Sequence, residues 1–420
     1  MNKTLTDMRE ILKGFANAMN LLNPEVPKNH QRVAYLSYNL AAEMGYKEED
    51  RIQLIFASIF YDAGLSVLPE RDDDGIMVTY RFDEITKASV SIIGNTPKLA
   101  FVNKILLGVA EDDIENFMDE QPGRVKVLNK ILYLADAVSK LLDYKRAVLN
   151  QISDVSEDIS EMAGDDIPVE VVEAFLRLTK KEYVWMDLMH QPEVFLDYIP
   201  ASQEISLDEA IEYARIMSRI IDYRSSFTAM HSSGVVVTAV RLAELIGMSE
   251  VECKMIMIAG YLHDIGKLTI PKSVLEKNDK LTDEEFNIVK EHAYYTYLML
   301  KNIRGFENIG KWASLHHEKL NGTGYPFGYS ADDIPMGARI MAVADIFSAV
   351  AEIRPYRLGM PKDKVIEILM DGAGSGALSR YLVELLINNY QDIYEKRDVE
   401  VRAEGARYYA AIIDSEERDM

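Results

Sequence analysis

Met255-Ile-Met-Ile-Ala-Gly-Tyr-Leu-His263-Asp264-Ile265-Gly266-Lys267 is the stretch that decides the fold. Its apolar lead is too short to cross a membrane and reads as a buried helix. Adjacent helical side chains diverge by about 100°. A neighbouring His and Asp delivered from such a helix can clasp one ion from two sides, or let the carboxylate bridge two ions. The rest of the C-terminal half can be read as supplying the missing ligands.

Working outward, the period is helical almost everywhere. Before the stretch, helices are expected at 207–221, 235–246 and 250–263; after it, at 282–302, 306–318, 335–351 and 361–370. Ser206 with Glu209 reads as a capping box opening the first of these. Residues 378–420 are expected to be helical at first and to end in a charged tail. In the N-terminal half, helices are expected at 3–22, 32–44, 50–61, 83–93, 97–110, 124–150 and 167–190, with a small hairpin near 76–82. Residues 191–206 carry two prolines and leave the helical period, so the junction falls there. The chain therefore reads as all-α, with domains at 1–200 and 201–420.

The halves repeat each other. His231, Gly247 and His263-Asp264 have counterparts at the same spacing in Asn29, Gly45 and Tyr61-Asp62, and Ile131-Leu-Tyr-Leu-Ala-Asp136 matches Ile340-Met-Ala-Val-Ala-Asp345. The histidines are not repeated. His30 sits one place out of register, and no His lies between 31 and 189. The first half is thus expected to hold no metal and to serve in packing or regulation, and His30→Ala to leave metal binding and activity untouched.

The chain has 420 residues, 48% apolar and 27% charged, with net charge −22. Such acidity argues against a nucleic-acid duplex as partner but not against a small phosphate ligand, whose charge bound cations can balance. A single cysteine, Cys253, cannot form an internal disulfide and reads as a small buried hydrophobe. With no leader-like N-terminus and no long apolar run, the expected location is the cytoplasm, without membrane contact. A homodimer or a signalling-protein partner stays open.

Five of the seven histidines, His231, His263, His292, His316 and His317, cluster in the C-terminal half with Asp264 and Asp345. Any one alone reads as an ordinary core or surface residue. Together they form the set two divalent ions need, and imidazole with carboxylate and no thiolate suits Fe, Mn, Zn or Ni. Two ions about 3.5–4 Å apart can hold a bridging hydroxide and grip both oxygens of an in-line phosphoryl displacement. Lys267 can neutralise a phosphate or leaving oxygen. The His pair then feeds into Glu318-Lys-Leu-Asn-Gly322-Thr-Gly324-Tyr325-Pro326, a turn on which a tyrosine could meet a base or ribose.

These motifs, in this order over about 207–390, resemble an HD-GYP domain, the bacterial HD phosphohydrolase branch that cleaves cyclic di-GMP. The resemblance also takes in Asp222-Tyr-Arg-Ser-Ser-Phe-Thr-Ala-Met-His231 and Arg354-Pro-Tyr-Arg357. It implies that His231, His263, Asp264 and Asp345 hold one metal, and that Asp264 bridges to a second on His292, His316 and His317. Asp264 and Lys267 would be catalytic, with Lys267, Gly324, Tyr325 and Arg354 at the substrate and Fe or Mn as the metal. The first half resembles a degenerate copy. Phe227 stands where three-metal members carry Glu, implying two metals and linear pGpG as product. Asp345-Ile-Phe-Ser348 departs from the family's Asp-x-x-Asp, and Asn321-Gly322 from its Asp-Gly. The expected activity is a cyclic di-GMP phosphodiesterase. The alternatives are a phosphodiesterase for another ester, such as cyclic GMP–AMP, and a non-catalytic cyclic dinucleotide receptor or scaffold.

Overall fold

Capping boxes set several helix starts. Ser206 accepts the Glu209 amide while Glu209 accepts the Ser206 amide, as expected, and the same exchange recurs at Ser249/Glu252 and Thr282/Glu285. The computed structural model describes residues 4–22, 26–69, 78–108, 123–200, 203–225, 230–277, 279–351 and 359–416. The fold is all-α. Among the described residues the two named strands are short: β1 (Thr4–Asp7) and β2 (Glu204–Ser206) pair antiparallel, with an irregularity between Thr4 and Thr6.

The chain forms two compact units, one of Ile11–Gln203 and the other of Met1–Glu10 with Glu204–Glu417. The β1–β2 ladder is what groups the first residues with the second unit. It also delays the first helix, since Asp7 accepts the Arg9 amide at 2.9 Å and α1 begins at Met8.

The first unit carries α1 (Met8–Met19) from Ile11 onward, α2 (Asn29–Glu43), α3 (Glu48–Phe60), α4 (Phe82–Ile93), α5 (Ala100–Leu107), α6 (Arg124–Leu141), α7 (Ile152–Glu161), α8 (Val169–Leu178) and α9 (Glu182–His190). Two expected helices are split. The one over 124–150 ends at Leu141 because Leu142 is extended. The one over 167–190 breaks where the Thr179 hydroxyl bonds the Phe175 carbonyl and the Trp185 indole bonds the Thr179 carbonyl. Of the expected hairpin near 76–82, residues 76 and 77 lie outside the described residues; 78–81 form no strand and Phe82 opens α4.

In the second unit come α10 (Leu207–Asp222), α11 (His231–Leu245), α12 (Glu250–Leu262), α13 (Lys272–Leu275), α14 (Asp283–Leu300), α15 (Glu307–Ser314), α16 (Met336–Ala351), α17 (Lys362–Gly374), α18 (Arg380–Asn388) and α19 (Tyr390–Glu416). Helix α11 packs on α12, α16 and α19. Its Val235, Ala239 and Leu242 are buried with Ile256, Ile258 and Leu262 of α12 and Ile340, Val343 and Phe347 of α16. Helix α15 stops at Ser314, so His316 and His317 lie in the turn beyond it. Cys253 is half-buried rather than buried. No described helix is long and apolar enough to cross a membrane.

Candidate metal centre

Apolar packing brings several helices of the second unit together, and ligand-type side chains lie at the ends of some of them and in the middle of others. His231 opens α11, His263 follows α12, His292 lies on α14, His316 and His317 follow α15, and Asp345 lies on α16. Two groups form, each with ligand atoms within 4.8 Å of one another: His231, His263 and Asp264, and His292, His316 and His317. Asp264 lies between them. Its Oδ2 is 3.3 Å from His263 Nε2, and its Oδ1 is 3.4 Å from His292 Nε2 and 4.0 Å from His316 Nε2. Asp345 places Oδ1 3.0 Å from His231 Nε2 and Oδ2 3.8 Å from His317 Nδ1.

The ring tautomers suit a cation. His263, His292 and His316 each place Nδ1 2.6–2.8 Å from the carbonyl three residues back, on Gly260, Val289 and Ala313. A carbonyl can only accept, so Nδ1 carries the proton. The lone pair of a neutral ring is then on Nε2, which faces the cluster. His292 and His316 bring their Nε2 atoms to 3.4 Å, and His263 Nε2 has no hydrogen-bond partner. Lone pairs converging in a buried space fit a metal, and the carbonyl bonds are the outer shell that orients ligating imidazoles.

Charge agrees. Burial and the neighbouring rings hold His316 well below the usual histidine range, and burial also lowers His292. Burial brings His317 down to about 3. Burial alone would raise the Asp264 and Asp345 carboxyls. His263 and Lys267 outweigh it at Asp264, and His231 at Asp345, so both stay ionised far into acid. Burial lowers His263 too, but Asp264 and Asp345 prevail and move it up. The lowered rings of His292, His316 and His317 beside two ionised carboxylates are a donor set suited to divalent ions.

Lys267 Nζ is 2.6 Å from Asp264 Oδ2. Gly266 is there because a Cβ would meet the His292 carbonyl oxygen at 1.9 Å. The glycine lets α14 approach, and Thr296 fixes the approach by accepting the Gly266 amide and donating to the His263 carbonyl. At the other rim, Glu318 accepts the amides of Phe327, Gly328 and Tyr329 and so folds the Gly-Tyr-Pro turn. A Cβ on Gly324 would meet Lys319 N at 2.4 Å, so this glycine serves turn closure. Tyr325 lays its ring beside His317, centroids 4.8 Å apart. Arg354 and Phe227 lie outside the described residues.

Sequence reading missed Thr296 and Glu318. One follows His292 by a single helical turn and the other directly follows the His pair, which are the signals that could have found them. It also left Asp222 without a role. Asp222, at the end of α10, accepts the Ser232 amide at 3.2 Å and hydroxyl at 2.9 Å, tying down the start of α11 beside His231. Arg224 bonds the Leu268 carbonyl at 2.8 Å, so one short segment holds two ligand-bearing elements.

The first unit repeats this geometry with other chemistry. Its Gly64 amide bonds the Ser89 hydroxyl, which donates to the Tyr61 carbonyl, as Gly266, Thr296 and His263 do. Ile85 faces Gly64 where His292 faces Gly266. Asn29 Nδ2 donates to Tyr61 Oη at 2.5 Å, and Tyr61 donates to Asp136 Oδ1 at 2.5 Å. His30 Nε2 lies 2.7 Å from Asp62 Oδ1. Hydrogen bonds join the groups that the second unit aims at a common centre.

Residues 215–379 of the second unit match the HD domain family. The chain is similar to 3′3′-cGAMP-specific phosphodiesterase 1 of Vibrio cholerae, 28% identical over 406 residues and 93% of each chain. It is also similar to the cyclic di-GMP phosphodiesterase response regulator RpfG of Xanthomonas campestris, 39% identical over 155 residues, 36% of this chain and 41% of the relative. Among solved structures, a cyclic GMP–AMP specific phosphodiesterase of Vibrio cholerae, V-cGAP3, shares the fold with TM-score 0.58 at 19% identity, over 92% of this chain and 98% of that one.

Proposed function

We propose that this chain is a metal-dependent phosphodiesterase that linearises a cyclic dinucleotide. The observation that carries the reading is the set of inward Nε2 lone pairs around a carboxylate placed to bridge. His231, His263, Asp264 and Asp345 would hold one divalent ion and His292, His316 and His317 the second, with Asp264 shared. Imidazole and carboxylate without thiolate suit Fe, Mn, Zn or Ni, and the resemblance to HD-GYP domains favours Fe or Mn among them. Two such ions would supply a nucleophile at neutral pH and offset the charge of the reacting phosphate.

The chain's own groups do the rest. Lys267 sets a positive charge against a phosphate oxygen, and Tyr325 borders the approach. Water adds to phosphorus as the bond to the ribose 3′-oxygen breaks, leaving a linear dinucleotide with a 5′-phosphate.

Two substrates are supported by different observations. 3′3′-cGAMP is favoured because relatives named for it align over 93% and 86% of the chain, first unit included. Cyclic di-GMP, hydrolysed to pGpG, is the second reading: relatives named for it match shorter segments at 39% and 36% identity, as a 3′3′-cGAMP-specific relative also does at 36%. Chromatography of products from both nucleotides, after Fe or Mn reconstitution, is the test. Cleavage of one or both is expected, and intact nucleotides throughout would refute the reading in favour of a receptor or scaffold.

A further inference from the structure

A row of rings runs outward from the metal ligands. His292 meets His317 at 5.0 Å between centroids, His317 meets Tyr325 at 4.8 Å, and Tyr325 meets Phe286 of α14 at 6.4 Å, nearly perpendicular at 84°. Phe286 is 46% exposed. Lys290, one turn on, sets its ammonium 5.3 Å from the Phe286 ring centre. A single exposed Phe needs no explanation. This one ends a continuous aromatic path that begins at a ligand imidazole. The start of α14 does not need it, because the Thr282/Glu285 box and the Lys277–Glu285 ion pair already fix that turn.

We infer that Phe286 and Tyr325 form the seat for one purine base of the substrate, with Lys290 lending positive charge beside it. This rests on the reading of the site as a cyclic dinucleotide phosphodiesterase. A flat base laid on one ring meets the edge of the other, an offset geometry aromatic systems favour. Stacking of a base on an aromatic ring tolerates any base identity. The seat therefore serves both candidate substrates.

The test compares Phe286→Ala, Phe286→Leu and Phe286→Trp in the full chain. Phe286→Ala should raise KM for cyclic di-GMP and 3′3′-cGAMP by about 5- to 150-fold, the range base–aromatic stacking spans, with kcat held. Leu keeps apolar volume but has no π face, so it should lose as much as Ala, while Trp should restore KM. Calorimetric binding of the same nucleotides to protein without added metal should follow the same order. Native affinity in Phe286→Ala, or recovery by Leu, would overturn the seat. A native protein that binds these nucleotides but cleaves neither would sink the phosphodiesterase reading alone, and the binding order would still decide the seat. Failure of the native protein to bind either nucleotide would sink both.

Discussion

Asp264 answers to two groups of imidazoles at once. One oxygen faces His263 and Lys267, the other faces His292 and His316. Asp264→Ala should therefore lose both ions together. Elemental analysis after reconstitution should find metal at background, with hydrolysis abolished; retention of one ion at native occupancy would show that the carboxylate does not bridge. The residues of the cluster were legible because histidine is scarce in this chain and five of the seven fall in one stretch. Which ring nitrogen faces inward was not legible. That depends on the carbonyls of Gly260, Val289 and Ala313, and a list of residues carries no tautomer.

At the scale of elements, the site is held by contacts between helix ends. Asp222 joins the end of α10 to the start of α11 through Ser232. Removing it in Asp222→Ala should weaken metal affinity by roughly 10- to 100-fold, as loss of an outer-shell partner does. A chelator competition titration measures this, and native affinity would show that α11 needs no such tether.

Helix α19 is tied to α10 in the same manner: Glu404 accepts from Arg219 Nε at 2.8 Å, Tyr223 Oη at 2.7 Å and Arg407 Nη1 at 2.7 Å. Burial would raise this carboxyl, but those partners hold it below its ordinary 4.5. The fold thus favours the ionised form. Its contribution is complete above that ordinary value and is lost as pH falls through the lower folded one. Glu404→Gln should be less stable near neutrality and should decline less steeply in acid, as followed by urea unfolding across that range. An acid limb as steep as the native one would contradict this. Capping boxes made the helix starts readable because their signals lie within four residues. The ties among α10, α11 and α19 were unreadable, since their partners lie up to 185 positions apart.

Over the whole molecule, one arrangement is used twice with different chemistry. The second unit gathers imidazoles; the first closes the corresponding place with the Asn29–Tyr61–Asp136 chain and the His30–Asp62 pair. Tyr61→Phe removes the shared hydroxyl and leaves buried polar groups short of a partner, which costs about 1–3 kcal/mol. Denaturant unfolding should show that loss while metal content stays native; unchanged stability would show that the chain of bonds contributes nothing. His30, expected from sequence to be idle toward metal and activity, is buried and placed within hydrogen-bond distance of Asp62 and Asn20.

The sequence alone determined the helical class, the repeat, the ligand types and the first unit's missing histidines, because periodicity, spacing and residue identity are written along the chain. Only the tertiary structure decided that β1 pairs with a strand some 200 residues away, that lone pairs converge on Asp264, and that the first unit joins its counterpart groups by hydrogen bonds. Each of these depends on contacts between distant segments, whose geometry exists only once the helices have packed.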